Sequence, residues 1–127
     1  MAIMPPMLVG KRVLIVEDEL LVALLIEDLL VDLGCTPVGP YGSVATALEA
    51  ARTAELDLAI LDVNLDGELV YPVADTLILR HVPFLFLSGY GNEAIPPGHP
   101  EWRVCAKPFK SADLERMLTA ALVTELH

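Results

Sequence analysis

The sequence has little of what several common kinds of functional site require. Its 127 residues include two cysteines, Cys35 and Cys105, which lie far apart with no His or Cys nearby at metal-binding spacing. This excludes a zinc site or a disulfide framework and indicates two buried free thiols. There is no Gly-rich phosphate loop of the Walker type. The apolar runs are far shorter than the roughly 20 residues that cross a bilayer, and no signal sequence precedes Lys11. We therefore expect a cytoplasmic protein without membrane insertion.

Positive charge is also scarce. The chain has 8 Lys and Arg against 18 Asp and Glu, and its formal net charge is -10. Phosphate groups would be repelled by such a chain, so we expect no binding to nucleic acid. A cation or a basic partner surface would suit it. The length is that of one domain, and we expect a single domain over 1–127, with 1–10 as a loose lead-in.

Short apolar runs alternate with helical patterns along the chain. Five runs are typical of strands that are buried in a sheet, near 12–16, 36–41, 58–62, 82–87 and 102–106. The second run contains Pro37 and Pro40, which indicates an edge strand. Helical patterns cover 19–33, 44–52 and 70–80, and a final helix is expected to begin with Ser111 as its cap. The alternation predicts an α/β fold with a doubly wound five-stranded parallel sheet.

The first predicted helix carries more apolar side chains than one face can hold. One set recurs at helical spacing and is expected to face the sheet: Val22, Leu25, Ile26, Leu29 and Leu33. Another set falls outside that stripe: Leu20, Leu24 and Val31. The second set has two interpretations, ordinary scattered surface or a face for docking and self-association, including a homodimer.

Polar side chains follow the buried strands at the points where the strands end. They are Glu17 and Asp18 after the first strand, Asp62 after the third, Ser88 after the fourth and Lys107 after the fifth. Because the carboxyl ends of parallel strands meet at one edge of a sheet, these side chains should lie together. Three neighbouring carboxylates repel one another unless a cation neutralises them. A hard divalent ion such as Mg²⁺ fits, together with the fixed charge of Lys107.

This set of side chains suits phosphoryl transfer. That reaction needs a positioned nucleophile, positive charge near the phosphoryl oxygens and a further hydrogen-bond donor. Asp62 is the candidate nucleophile, and Glu17 and Asp18 are the candidate metal ligands. The Ser88 hydroxyl and the Lys107 ammonium would contact the phosphoryl oxygens.

The motifs Glu17-Asp18, Asp62, Ser88 and Lys107-Pro108, in that order, resemble the receiver domains of response regulators in two-component and phosphorelay signalling. The resemblance runs through nearly the whole chain. It implies a flavodoxin-like fold and a receiver with no output domain. It also implies that Asp62 takes a phosphoryl group from a histidine kinase or a histidine phosphotransfer protein, and that the backbone carbonyl of Asn64 completes the Mg²⁺ shell.

Such a protein is no enzyme in the usual sense, because a receiver catalyses its own phosphorylation and dephosphorylation and then acts on a downstream protein. Neither the kinase nor the downstream protein can be named from the sequence.

The chain departs from the usual receiver pattern in two places. Two residues before Lys107, where receivers usually carry Tyr or Phe, stands Cys105. The Gly/Pro-rich segment after Ser88 predicts a helix that is shortened or absent. The segments 83–91 and 107–109 resemble a subgroup, often stand-alone proteins of alphaproteobacterial type, that is named for a Phe-Ala-Thr-Gly-Tyr-like motif. We hypothesise that the loop 89–100 carries the signal, with Ser88, Tyr90 and Cys105 as switch candidates.

Two other classes of protein stay open on the residues alone. A haloacid-dehalogenase-like phosphohydrolase also uses a strand-end Asp with Mg²⁺, but it requires a second acid two residues later, where this chain has Asn64. A flavodoxin-like binding module needs a phosphate-cradling loop after the first strand, and the acidic run that begins at Glu17 would repel phosphate. Outside the site, we expect Trp102 to be structural cover.

Overall fold

The computed structural model describes residues 7–89 and 102–125. Its elements in chain order are β1 (Arg12–Val16), α1 (Leu20–Asp32), β2 (Thr36–Tyr41), α2 (Val44–Thr53), β3 (Leu58–Asp62), β4 (Asn64–Leu65), β5 (Glu68–Leu69), α3 (Tyr71–Leu79), β6 (Phe84–Ser88), β7 (Arg103–Ala106) and α4 (Ser111–Glu125). Five strands form one parallel sheet in the order β2-β1-β3-β6-β7. This confirms the predicted fold class, with β2 at an edge.

The sheet is covered on both faces. Along β1, Leu14 and Val16 point to the core that includes α2 and α3, whereas Val13 and Ile15 point to the core that includes α1 and α4. The alternation follows from the two-residue period of a strand. All five residues of β3 are buried, as expected for a central strand of a parallel sheet. Asp62 thus ends a strand that has no solvent-facing side.

The rotation of α1 differs from the prediction. Its buried residues are Ala23, Ile26 and Leu30, and Leu25, which was expected to face the sheet, is 55% exposed. The prediction for Leu25 was wrong because apolar side chains surround most of this helix, so the sequence pattern does not fix which stripe turns inward. Leu20, Leu24 and Val31 are exposed as predicted.

The starts of three helices follow from the residues found there. Ser43 caps α2 by accepting a hydrogen bond from Thr46 N at 3.2 Å, and Pro72 lies in the first turn of α3. Ser111 is the first residue of α4 instead of its cap, a difference of one position. None of the helices in 7–89 and 102–125 is long and apolar enough to cross a membrane.

The segment after Asp62 forms a short hairpin, which the predicted elements do not include. Residues 64–69 form an antiparallel hairpin, in which Asn64 pairs with Leu69 and Leu65 with Glu68. The turn residues Asp66 and Gly67 have φ values of 50° and 90°. An Asp-Gly pair is a strong sequence signal for such a two-residue turn.

An aromatic cluster packs around Trp102, which directly precedes β7. The ring of Trp102 lies 5.3 Å from Phe86, 5.7 Å from Phe84 and 6.3 Å from Tyr71, measured between centroids. Trp102 therefore covers the core, as predicted. The segment 90–101, where we predicted a shortened or absent helix and where Tyr90 lies, falls outside the described residues.

Candidate functional site

The carboxyl ends of the parallel strands bring the predicted side chains to one edge of the sheet. Glu17 follows β1, Asp62 ends β3 and Ser88 ends β6, and all three are buried. Lys107 follows β7, and its backbone N donates a hydrogen bond to Ser88 O at 2.9 Å. Strand pairing alone therefore sets the spacing of these residues, because β3 and β6 are hydrogen-bonded neighbours and β6 pairs with β7.

Three carboxylates form the acidic part of the site. One carboxylate oxygen from each of Glu17, Asp18 and Asp62 lies within 4.8 Å of the others. Glu17 and Asp62 are only 3% and 6% exposed, whereas Asp18 is exposed. Like charges at this separation repel strongly when water is largely excluded.

Lys107 brings a positive charge into contact with these acids. Its Nζ lies 2.9 Å from Glu17 Oε1 and 3.4 Å from Asp62 Oδ2. Burial by itself would lower the pKa of Lys107, but the contacts with Glu17 and Asp62 outweigh it and raise that pKa. Lys107 is therefore a cation at neutral pH and bridges two of the three carboxylates.

Glu19 joins this cluster, although it is not among the residues predicted for the site. Its carboxylate Oε1 lies 3.9 Å from Lys107 Nζ, and its backbone N donates to Glu17 Oε2 at 3.1 Å. The signal that could have identified it is its place in the continuous acidic run 17–19.

Glu17 is the least satisfied of the buried acids. Its buried Oε1 forms an ion pair with Lys107 Nζ at 2.9 Å, and its Oε2 accepts a hydrogen bond from Glu19 N at 3.1 Å. Burial raises the pKa of Glu17 to about 7, and the neighbouring Asp62 adds to the increase. A buried carboxylate next to two further carboxylates fits a hard divalent cation with oxygen ligands such as Mg²⁺.

The raised pKa of Glu17 predicts how the stability of the metal-free protein depends on pH. Because the pKa is about 7 in the folded state and 4.5 ordinarily, the folded protein binds more protons than the unfolded chain between these values. Its stability should therefore fall as the pH rises through this window and level off above it. Thermal melts in a metal chelator across this range measure the slope. The variant Glu17→Gln should flatten it, and an equal slope in that variant would contradict the assignment to Glu17.

The switch candidates occupy different surroundings. Ser88 is buried at the end of β6, and Cys105 is buried in the core that includes α4, where burial raises the pKa of its thiol. Asn64 is exposed, and its Oδ1 accepts a hydrogen bond from Gly67 N at 2.8 Å. Tyr90 lies outside the described residues.

Comparison with known proteins places the chain in a family. It is 31% identical over 117 residues to the phyllosphere-induced regulator PhyR of Methylorubrum extorquens, a match that covers 89% of this chain and 44% of PhyR. The chain therefore spans less than half the length of this curated relative. No protein-family model matches.

Solved structures match along nearly the whole chain. SdrG from Sphingomonas melonis Fr1 is 39% identical, with 94% of this chain and 99% of SdrG covered and a TM-score of 0.79. The receiver domain of the sensor histidine kinase PA1611 from Pseudomonas aeruginosa PAO1, solved with magnesium in its active-site cleft, is 25% identical, with 90% and 98% covered and a TM-score of 0.75. Further response regulator receivers align at similar identity.

The chain belongs to the receiver domain family of response regulators. Its structural neighbours are receivers of two-component signalling, the family that the order of its strand-end motifs predicted. The two alternatives, a haloacid-dehalogenase-like phosphohydrolase and a flavodoxin-like binding module, are set aside by this membership.

Proposed function

We propose that Asp62 accepts a phosphoryl group from a phosphohistidine in a reaction that requires Mg²⁺. The carboxylates of Glu17, Asp18 and Asp62 and the backbone carbonyl of Asn64 would hold the metal ion. The observation that carries the proposal is the position of Lys107 Nζ, within 3.4 Å of Asp62 and 2.9 Å of Glu17, beside three carboxylates that lie within 4.8 Å of one another.

The side chains would divide the chemistry among them. An oxygen of Asp62 attacks phosphorus, a P–O bond forms and the P–N bond to the donor histidine breaks. Lys107, already in contact with Asp62, would contact a phosphoryl oxygen on the phosphorylated residue, and its ion pair with Glu17 would keep the ammonium at the site. Ser88 would donate its hydroxyl to another phosphoryl oxygen. Bound Mg²⁺ supplies the positive charge that offsets the phosphoryl oxygens and the carboxylates.

The proposal extends to the partners. The phosphodonor would be a histidine kinase or a histidine phosphotransfer protein, and the phosphorylated chain would act on a downstream protein by a rearrangement of the loop after Ser88. The same residues would catalyse dephosphorylation. The exposed apolar side chains of α1, which begins next to Glu19, are candidates for docking of the donor or for a homodimer. A stand-alone chain and a cytoplasmic location stay predictions of the sequence.

Phosphorylation assays test this function. With a histidine kinase or a small acyl phosphate as donor, we expect one phosphoryl group per chain in millimolar Mg²⁺ and none in a chelator, because without the cation the carboxylates repel the donor phosphate. Intact-mass spectrometry measures the incorporation. The variant Asp75→Asn, an exposed acid on α3, should behave like the natural protein. Equal incorporation with and without Mg²⁺, or none from any donor, would overturn the proposal.

A further inference from the structure

The hairpin after Asp62 is anchored at its base to the sheet and the core. Val63 N donates to Leu87 O of β6 at 3.2 Å, and Val63 O accepts from Val70 N at 3.0 Å. The side chains of Leu65 and Val70 are completely buried. The chain that passes through Asn64 is therefore held on both sides, two residues after the candidate phosphoacceptor.

The tip of the hairpin is braced by a side chain. Asp66 and Gly67 both have positive φ, which defines the tight two-residue turn that matches the twist of a hairpin. Asn64 Oδ1 accepts a hydrogen bond from Gly67 N at 2.8 Å. The amide of Asn64 is thus engaged within the hairpin and ties the turn to the strand residue nearest the site.

The register of the hairpin leaves the backbone of Asn64 available. Residues that face each other in an antiparallel pair alternate between hydrogen-bonded and non-hydrogen-bonded pairs. Val70 N bonds to Val63 O, so the next facing pair, Asn64 and Leu69, is the non-hydrogen-bonded one. The carbonyl of Asn64 is therefore not used by β5, although the backbone that carries it is fixed.

We infer that this hairpin is a positioning device for the Asn64 carbonyl as a ligand of Mg²⁺, and that the Asn64 side chain and Gly67 are its positioning residues. The inference rests on the proposed function, which assigns that carbonyl to the metal. Mg²⁺ demands near-octahedral geometry and gives up water reluctantly. A carbonyl whose place is set before the ion arrives costs less ordering on binding. The affinity for Mg²⁺ thus depends on a turn that itself contributes no ligand.

Two substitutions test the inference without touching a ligand atom. Gly67→Ala places a Cβ in open space but at a φ of 90°, so its effect is confined to the turn backbone. Asn64→Ala keeps the carbonyl and removes the brace. Gly10→Ala is the matched control, because Gly10 also has a positive φ, 79°, and open space around it, and it lies in the turn before β1. Isothermal titration with Mg²⁺ gives the affinity, and melts in a chelator give the stability of the metal-free proteins.

We expect Gly67→Ala and Asn64→Ala to weaken Mg²⁺ binding roughly tenfold, the scale on which outer positioning groups act on metal sites, and Gly10→Ala to leave it unchanged. Natural affinity in both hairpin variants would overturn the inference while the proposed function stands. An equal loss in Gly10→Ala would also overturn it, since the cause would then be general stability. Absence of Mg²⁺ binding in the natural protein would instead contradict the proposed function itself.

Discussion

The variant Asp62→Asn is expected to lose phosphoryl incorporation down to background and, at the same time, to melt at a higher temperature when metal is absent. The first effect follows because an amide oxygen is no nucleophile toward phosphorus under these conditions. The second follows because one of three carboxylates that lie within 4.8 Å of one another becomes neutral. Lys107 keeps its 2.9 Å contact with Glu17, so no cation is left without a partner.

The size of the stability gain can be bounded. The substitution removes two repulsions, with Glu17 and Asp18, and one attraction, to Lys107 Nζ at 3.4 Å. The net gain is about 1 kcal/mol, which raises the melting temperature by about 4 °C for a domain of this size. The increase on adding Mg²⁺ should become smaller, because a metal ligand has been lost. Intact-mass spectrometry and melts with and without Mg²⁺ measure both effects. Full incorporation in Asp62→Asn would show that the phosphoryl group is on another residue.

Removal of the Lys107 charge should have the largest effect on stability. In the variant Lys107→Gln, Glu17 and Asp62 stay buried at the end of the sheet without their cation. Breaking a buried ion pair from one side costs about 3 kcal/mol, so the melting temperature without metal should fall by about 10 °C. Because Mg²⁺ can replace part of the lost charge, its stabilising effect should be greater in this variant than in the natural protein.

A neighbouring lysine serves as the control for this prediction. Lys110 is exposed and precedes α4, so Lys110→Gln removes the same charge without affecting the carboxylates. We expect this variant to change the free energy of unfolding by less than about 1 kcal/mol. Urea or thermal unfolding in a chelator compares the two variants. A similar small change in both would mean that the Lys107 contacts contribute nothing to the folded state.

The proximity of the strand-end carboxylates to Lys107 could be predicted from sequence, because these residues stand at the ends of buried apolar runs. In a parallel sheet such positions share an edge whatever the loops do, so Glu17, Asp62 and Lys107 needed no knowledge of the helices. Membership of the receiver family followed from their order. The roles given to these residues in phosphoryl transfer stay predictions.

The rotation of α1 could not be predicted in the same way. Apolar side chains at Leu20, Leu21, Leu24 and Leu25 surround the start of the helix, and only packing against the sheet decides that Ala23 and Ile26 turn inward. A periodic pattern identifies a helix, but it does not determine which face is buried when too few polar residues mark the solvent side.

The hairpin 64–69 and the state of Glu17 were missed for different physical reasons. The Asp66-Gly67 pair is a typical signal for a two-residue hairpin turn, but each strand beside it has only two residues, too few to show a strand pattern in the sequence. The pKa of Glu17, about 7, depends on how deeply the side chain is buried and on which atoms face it. Those quantities belong to the three-dimensional structure and have no signature in the order of residues.

The most direct test of the account is to locate the phosphoryl group on the chain. After reaction with a phosphohistidine donor and Mg²⁺, borohydride reduction converts a phosphorylated aspartate into homoserine, and peptide mass spectrometry identifies the converted residue. We predict conversion at Asp62 alone, dependent on Mg²⁺. Conversion at Asp18 or elsewhere, or a phosphoryl group that resists borohydride, would contradict it.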